Sequence, residues 1–218
     1  HVIEAYTSSE KQEAQKKLAE QAPLHEVVLN MVVRHLPNPI TAQEYRVPKI
    51  WHGDIESPEG VSLIKCDPNG PLFFVITKIV IDPQAGEISA GRLFSGTMRR
   101  GTEVYLHMMK SGARVQQVFI YNGAKREIVD HVPAGNIIGI AGARSYAGET
   151  VADRETEPFE TIKHIFDPVI TKAIEAAKPS DLPKLVEVLK QVSKEDPTIK
   201  VEINEQTGEH LIHGMGEL

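Results

Sequence analysis

This 218-residue sequence has one cysteine, one tryptophan and no long apolar run. Cys66 alone closes no internal disulfide and supplies no thiolate-rich metal site, which fits a reducing compartment. The run Leu72–Ile76 ends at Thr77-Lys78, and Val27–Val33 contains Asn30, so neither nears the roughly 18 residues a membrane helix needs. No basic stretch followed by an apolar segment opens the chain, which argues against a secretory signal. The first residue is His1 rather than Met, so the chain is expected to begin inside a longer one. Hydrophobic residues at 41% and charged residues at 25% lie near the globular average, which excludes wholesale disorder and fibrous repeats.

The net charge of −6 is unevenly spread. Residues 1–69 carry 7 basic and 10 acidic side chains, residues 70–156 carry 10 and 8, and residues 157–218 carry 7 and 12. Only the middle leans basic. That excludes a general nucleic-acid coat but leaves room for a local set of cations on one face.

The periodicity changes twice along the chain. Ser9-Glu10 with Glu13 and Lys17 reads as the start of a polar helix running to Gln21. Leu24, Val27, Val28, Met31, Val32 and Leu36 form one apolar helical stripe, stopped by Pro37-Asn38-Pro39. Burying those six side chains would contribute roughly 9 to 18 kcal/mol before entropy is subtracted, and nothing upstream offers a matching face. From Pro71 the pattern becomes short β-branched and aromatic runs. Strands are expected over Leu72–Ile81, Glu87–Phe94, Thr102–Met108, Ala113–Tyr121 and Asn136–Ala141, separated by Gly, Pro, Asn and Asp turns. About six strands at this spacing make a small barrel and leave no room for crossover helices. After Pro158 a β-α-β-β unit is read. It comprises a strand over Val169–Ala176, a helix capped by Ser180 with the stripe Leu182, Leu185, Val186, Leu189 and Val192, a strand through Ile199, Val201 and Ile203, a Thr207-Gly208 turn, and a strand over His210–His213.

Catalytic chemistry is thin. Gly142–Gly148 is followed by Glu149-Thr150 and Gly91–Gly96 by Thr97-Met98, so neither carries the lysine of a phosphate loop. Gly214-Met215-Gly216 lacks the third glycine of a dinucleotide fingerprint. His210 and His213, three apart on a strand, point to opposite faces and make no metal site. Ser95 stands outside any nucleophile elbow.

The residues themselves go further. In order along the chain stand Leu36-Pro37-Asn38-Pro39, Cys66-Asp67-Pro68-Asn69-Gly70-Pro71-Leu72, Ala90-Gly91-Arg92-Leu93-Phe94-Ser95-Gly96 and Gly135-Asn136-Ile137-Ile138-Gly139. Asp181-Leu182-Pro183-Lys184-Leu185, Gly208-Glu209-His210 and Gly214-Met215-Gly216-Glu217-Leu218 follow. This ordered set resembles the translational GTPases and is most similar to the archaeal and eukaryotic elongation factor 2 family. The short connection from Lys110 to Arg114 looks archaeal.

The resemblance implies a multi-domain chain, mainly β plus α+β. Residues 1–40 would be C-terminal helices of a missing α/β GTPase domain, residues 41–156 the connector and domain II β-barrel, and residues 157–218 a truncated ferredoxin-like domain III. The truncated sheet is expected to expose the faces of Val169, Val201 and Leu211 and to lead either to self-association or to weak hydrogen-exchange protection of residues 160–218. No catalytic, cofactor or metal residue is expected on this chain. GTP and Mg2+ belong to the parent's GTPase domain, whose phosphate loop, Asp-x-x-Gly switch and Asn-Lys-x-Asp guanine reader have no counterpart here. The implied function is that of a cytoplasmic elongation factor catalysing GTP-dependent translocation of tRNA and mRNA. This part would dock on the ribosome and relay between domains, with small-subunit rRNA, a small-subunit ribosomal protein and the remaining domains as partners. RNA-contact candidates are Arg92, Arg99, Arg100, Lys110, Arg114, Lys125, Arg126 and Arg144, with Arg99-Arg100 before Gly101 foremost. Leu24, Val27, Met31 and Leu36 are assigned to interdomain packing. The alternatives are a stand-alone β-barrel module binding RNA or protein, and a fragment of a related ribosome or spliceosome GTPase.

Overall fold

The computed structural model describes residues 11–82, 84–123, 125–160, 169–196, 198–203 and 209–216. Contacts divide the chain into two units, His1–Ala42 and Gln43–Leu218. The first contains α1 (Lys11–Gln21) and α2 (Leu24–His35). The expected cap at Ser9 lies outside the described residues. The Pro23 carbonyl accepts the Val27 N–H at 3.1 Å to open α2, and Leu36 turns extended to close it. No residue of α2 is buried.

Two helices precede the first strand and were not read from sequence. The tripeptide taken only as a stop also starts α3 (Pro39–Ile50), because the Asn38 carboxamide oxygen accepts the Thr41 N–H at 2.9 Å and Pro39 fills the first position. Ser57 caps α4 (Pro58–Lys65) by accepting the Gly60 N–H, and Cys66 ends it in the left-handed region at φ 55°.

Ten strands follow: β1 (Phe73–Asp82), β2 (Gly86–Ser95), β3 (Thr97–Arg99), β4 (Glu103–Leu106), β5 (Ser111–Arg114), β6 (Gln117–Asn122), β7 (Lys125–Val129), β8 (His131–Pro133), β9 (Ile137–Ala141) and β10 (Thr150–Ala152). Eight pair antiparallel in the order β5-β4-β10-β1-β2-β9-β6-β7, while β3 pairs with β8. Laid flat, eight strands would span roughly 34 Å. Instead Val104 and Leu106 of β4, Phe74 and Ile76 of β1, Val118 of β6 and Ile138 and Ile140 of β9 share one continuous core, so the sheet rolls around it. The ladder stays open, with β5 and β7 as its edges. Phe73 and Val75 point the other way, into a second core with Val47, Trp51, Leu63, Phe94 and Phe159. Gly91 is needed here, since any Cβ would fall on the Val75 carbonyl oxygen.

Several expected boundaries are corrected. The strand over Thr102–Met108 ends at Leu106, and the expected run Ala113–Tyr121 is two strands broken at Val115-Gln116. Ser111 and Gly112, read as a turn, lie within the edge strand β5, where no packing demands a larger side chain.

The last elements are β11 (Ile170–Ile174), a 3₁₀ turn (Pro179–Asp181), α5 (Leu182–Glu195), β12 (Lys200–Ile203) and β13 (His210–Gly214), with β13 between β11 and β12 and antiparallel to both. This is the split β-α-β arrangement. Leu189, Ile199 and Ile212 form its core, joined by Ile174, Leu185, Val192 and Val201. Asp181 rather than Ser180 occupies the N-cap position, and Leu182 is exposed at the head of the stripe. Val169 is exposed as expected, but Val201 is not on an open face, because it packs with the helix-covered core. The Thr207-Gly208 turn lies outside the described residues.

Candidate nucleic-acid interface

The eight candidate cations separate into two groups. Arg92 and Arg126 turn inward. Arg92 Nη2 donates to Gln43 Oε1 at 3.3 Å, and its guanidinium lies 5.2 Å from the Phe94 ring centroid. Burial, with Arg46 adding to it, pulls the pKa of Arg92 below its usual value. Arg126 Nη1 lies 2.5 Å from Asp82 Oδ2, with its guanidinium 4.9 Å from the Phe119 ring centroid. The Asp82 carboxylate also accepts the N–H groups of Gln84 and Ala85 at 2.8 Å each. The Ala85 N–H, Arg126 and the Gln84 N–H together hold its pKa at about 2. These two arginines brace the rolled sheet, and their spacing in sequence could not show that their side chains point at other protein groups.

The other six, Arg99, Arg100, Lys110, Arg114, Lys125 and Arg144, are exposed. Three of them line a trough along the β5 edge. One part, of about 580 Å³, is bounded by Arg100, Arg114, Gln84, Gln116 and Gln117. The next, of about 470 Å³, is bounded by Arg144, Ser111, Gln116 and Glu87. Gln116 and Ala85 belong to both, so the two parts adjoin. The turn at Gly101, at φ +86°, presents Arg100, and Arg114 Nε donates to the Gly101 carbonyl at 3.3 Å, which ties the two guanidinium-bearing segments together. Among the described lining residues Glu87 is the one carboxylate, and it is engaged: Oε1 accepts the Ser145 N–H at 3.0 Å and Oε2 lies 2.8 Å from Lys194 Nζ. Three guanidiniums, carboxamides and a hydroxyl around an open trough suit phosphate oxygens and ribose hydroxyls. The three glutamines were missed from sequence. The signal available was the polar pair Gln116-Gln117, separated from Arg114 only by Val115.

Arg99, Lys110 and Lys125 line neither part of the trough. Arg99 faces His131 across the β3–β8 pair, Lys125 pairs with Asn122 at the β6–β7 turn, and Lys110 turns the β4–β5 hairpin at φ 48°. The packing candidates Leu24, Val27, Met31 and Leu36 are between 52% and 76% exposed on α2. His210 and His213 fall on opposite faces of β13, with His213 Nδ1 2.8 Å from Thr171 Oγ1.

Comparison with known proteins gives two matches to family models, "Elongation factor G domain 2" over residues 71–154 and "Elongation Factor G, domain III" over residues 165–218. Relatives named elongation factor 2 include those of Methanopyrus kandleri, 57% identical over 95% of this chain and 17% of that protein, and Methanocaldococcus jannaschii, 55% identical over 95% and 29%. That of Pyrococcus furiosus is 55% identical over 93% of this chain and 28% of its own length. The chain thus spans less than a third of the length of these relatives. With two successive domain models matched in order and identity above half sustained along nearly the whole sequence, the chain belongs to the elongation factor 2 family and carries its domain II and domain III region.

Proposed function

We propose that this chain is the ribosome-docking and interdomain relay region of a cytoplasmic translation factor that moves tRNA and mRNA through the ribosome with GTP hydrolysis. The convergence of Arg100, Arg114 and Arg144 from three separate chain segments on one trough supports docking on small-subunit rRNA. Cations so placed, with Glu87, the carboxylate among the described trough-lining residues, already paired, meet phosphates at low cost in competing charge. Domain III is the part that meets a small-subunit ribosomal protein, and the stripe of Leu24, Val27, Met31 and Leu36, in the helices that end the parent's GTPase domain, packs against the rest of the parent.

GTP and Mg2+ act elsewhere in the parent, because the residues here do not fit them. Gly148 donates its N–H to the Ile76 carbonyl, the Glu149 carboxylate is buried against backbone donors, and Gly91 lies inside β2 against Val75. Arg92, inside the Gly91–Gly96 stretch, is turned to Gln43 and Phe94, and Arg144, inside Gly142–Gly148, faces the open trough rather than a cradle of free backbone donors, so the chain's share of the work is mechanical.

Binding of the chain to small ribosomal subunits, measured by sedimentation at several salt concentrations, tests the trough. Arg100→Glu with Arg114→Glu is expected to weaken binding and to lower the log–log salt slope by roughly one to two. Lys125→Glu, away from the trough, is expected to change the slope by less. Equal effects from both variants, or none from the first, would remove the trough from the interface.

A further inference from the structure

The turn between β4 and β5 carries two methionines into solvent, Met108 at 50% and Met109 at 47% exposure. Beneath them lies Glu149, 0% exposed. Its Oε1 accepts the Met108 N–H at 2.6 Å, and its Oε2 accepts the Met109 N–H at 3.3 Å and the Ser145 hydroxyl at 2.9 Å. Burying a carboxylate is costly, and three donors around this one offset that cost by fixing the backbone of the tip. His107 braces the base of the turn. Its Nε2 accepts the Thr156 N–H at 3.1 Å, which leaves the proton on Nδ1 to donate to the Thr150 carbonyl at 2.9 Å. The two thioethers therefore stand on a rigid support. Their tip also runs directly into the trough, since Ser111, the residue after Lys110, lines it beside Arg144.

A polarizable thioether makes favourable contacts with an aromatic ring. A regular A-form duplex hides its base faces in the stack, whereas a bulged or unpaired nucleotide offers one. We propose that the Met108-Met109 tip packs on an unstacked base of an RNA whose phosphates lie in the Arg100–Arg114–Arg144 trough, with Lys110 on a neighbouring phosphate. The tip then selects irregular RNA over smooth duplex, while the trough supplies affinity without sequence information. This rests on the RNA-docking reading of the trough.

The test uses the 218-residue chain and two fluorescent RNA hairpins that differ by one bulged adenosine. The bulged hairpin is expected to bind about three- to tenfold more tightly. Met108→Ser with Met109→Ser should bring that ratio to about one and leave the salt slope unchanged, with amide exchange at residue 109 showing that the support is intact. Arg100→Glu with Arg114→Glu should weaken both hairpins and keep the ratio. A ratio near one in the unsubstituted chain, or one untouched by the methionine substitutions, overturns the tip inference and leaves the trough standing. Loss of ribosomal subunit affinity on methionine substitution with an unchanged RNA ratio assigns the tip to an apolar protein pocket instead and also overturns it. Failure of the unsubstituted chain to bind either hairpin removes the trough reading and the tip with it.

Discussion

Asp82 ends β1 with its carboxylate accepting two backbone N–H groups and facing the Arg126 guanidinium, which stacks on Phe119. These donors favour the charged form and lower the pKa from the ordinary 3.8 to about 2. A carboxylate depressed in the folded state contributes stability above its unfolded pKa, and that stability is lost as pH falls through the folded one. Acid unfolding followed by the emission of Trp51, which is buried and donates to the Glu157 carbonyl at 2.7 Å, should therefore steepen between about pH 4 and 2. Asp82→Asn is expected to flatten that limb, and superimposable curves would mean that the charge does not matter there. At this scale the candidates were legible as residue types only. Arg92 and Arg100 look alike in the sequence, yet the first points at Gln43 and Phe94 and the second at solvent.

Among elements, the end of α5 grips the end of the β1–β2 ribbon. Lys194 Nζ meets Glu87 Oε2 at 2.8 Å and lies 4.9 Å from the Tyr146 ring centroid, while Glu195 Oε1 accepts the Ile81 N–H at 2.7 Å. Ile81 and Glu87 are cross-strand partners, so consecutive helix residues hold one pair on the ribbon. Lys194→Met should cost about 0.5–1.5 kcal/mol, less at high salt, as measured by urea unfolding. Glu195→Ala should speed exchange of the Ile81 amide while leaving that of Ile76, bonded to the Glu149 carbonyl, unchanged. Uniform exchange in both variants would show that the grip contributes nothing. Long elements such as β1, β2 and α5 were readable because their apolar periods repeat several times. The three-residue β3, β8 and β10 were not, since so short a run shows no period.

At the scale of the whole molecule, α2 carries the largest group of exposed apolar side chains among the described residues. Leu24, Val27 and Met31 on one side of the helix, Leu29 and Val33 on the other, and Leu36 just beyond its end are all more than half exposed, which leaves apolar surface in water at a cost. The chain is expected to self-associate through this helix, with a sedimentation coefficient that rises with concentration. Leu24→Glu with Met31→Glu should hold it at the monomer value. A concentration-independent coefficient in the unsubstituted chain would show that the stripe is not sticky.

The amino-acid sequence determined which segments become long strands and helices, because period and turn chemistry are local. It also placed ten basic residues against eight acidic ones in residues 70–156 and carried the ordered motifs of its family. Only the tertiary structure decided that β4 and β6 share one core, that Arg100, Arg114 and Arg144 border one trough, and that a buried Glu149 holds two methionines outward. Those depend on side-chain direction and on strand neighbours far apart in the chain, and both are settled by how the sheet rolls around its core rather than by spacing along the backbone.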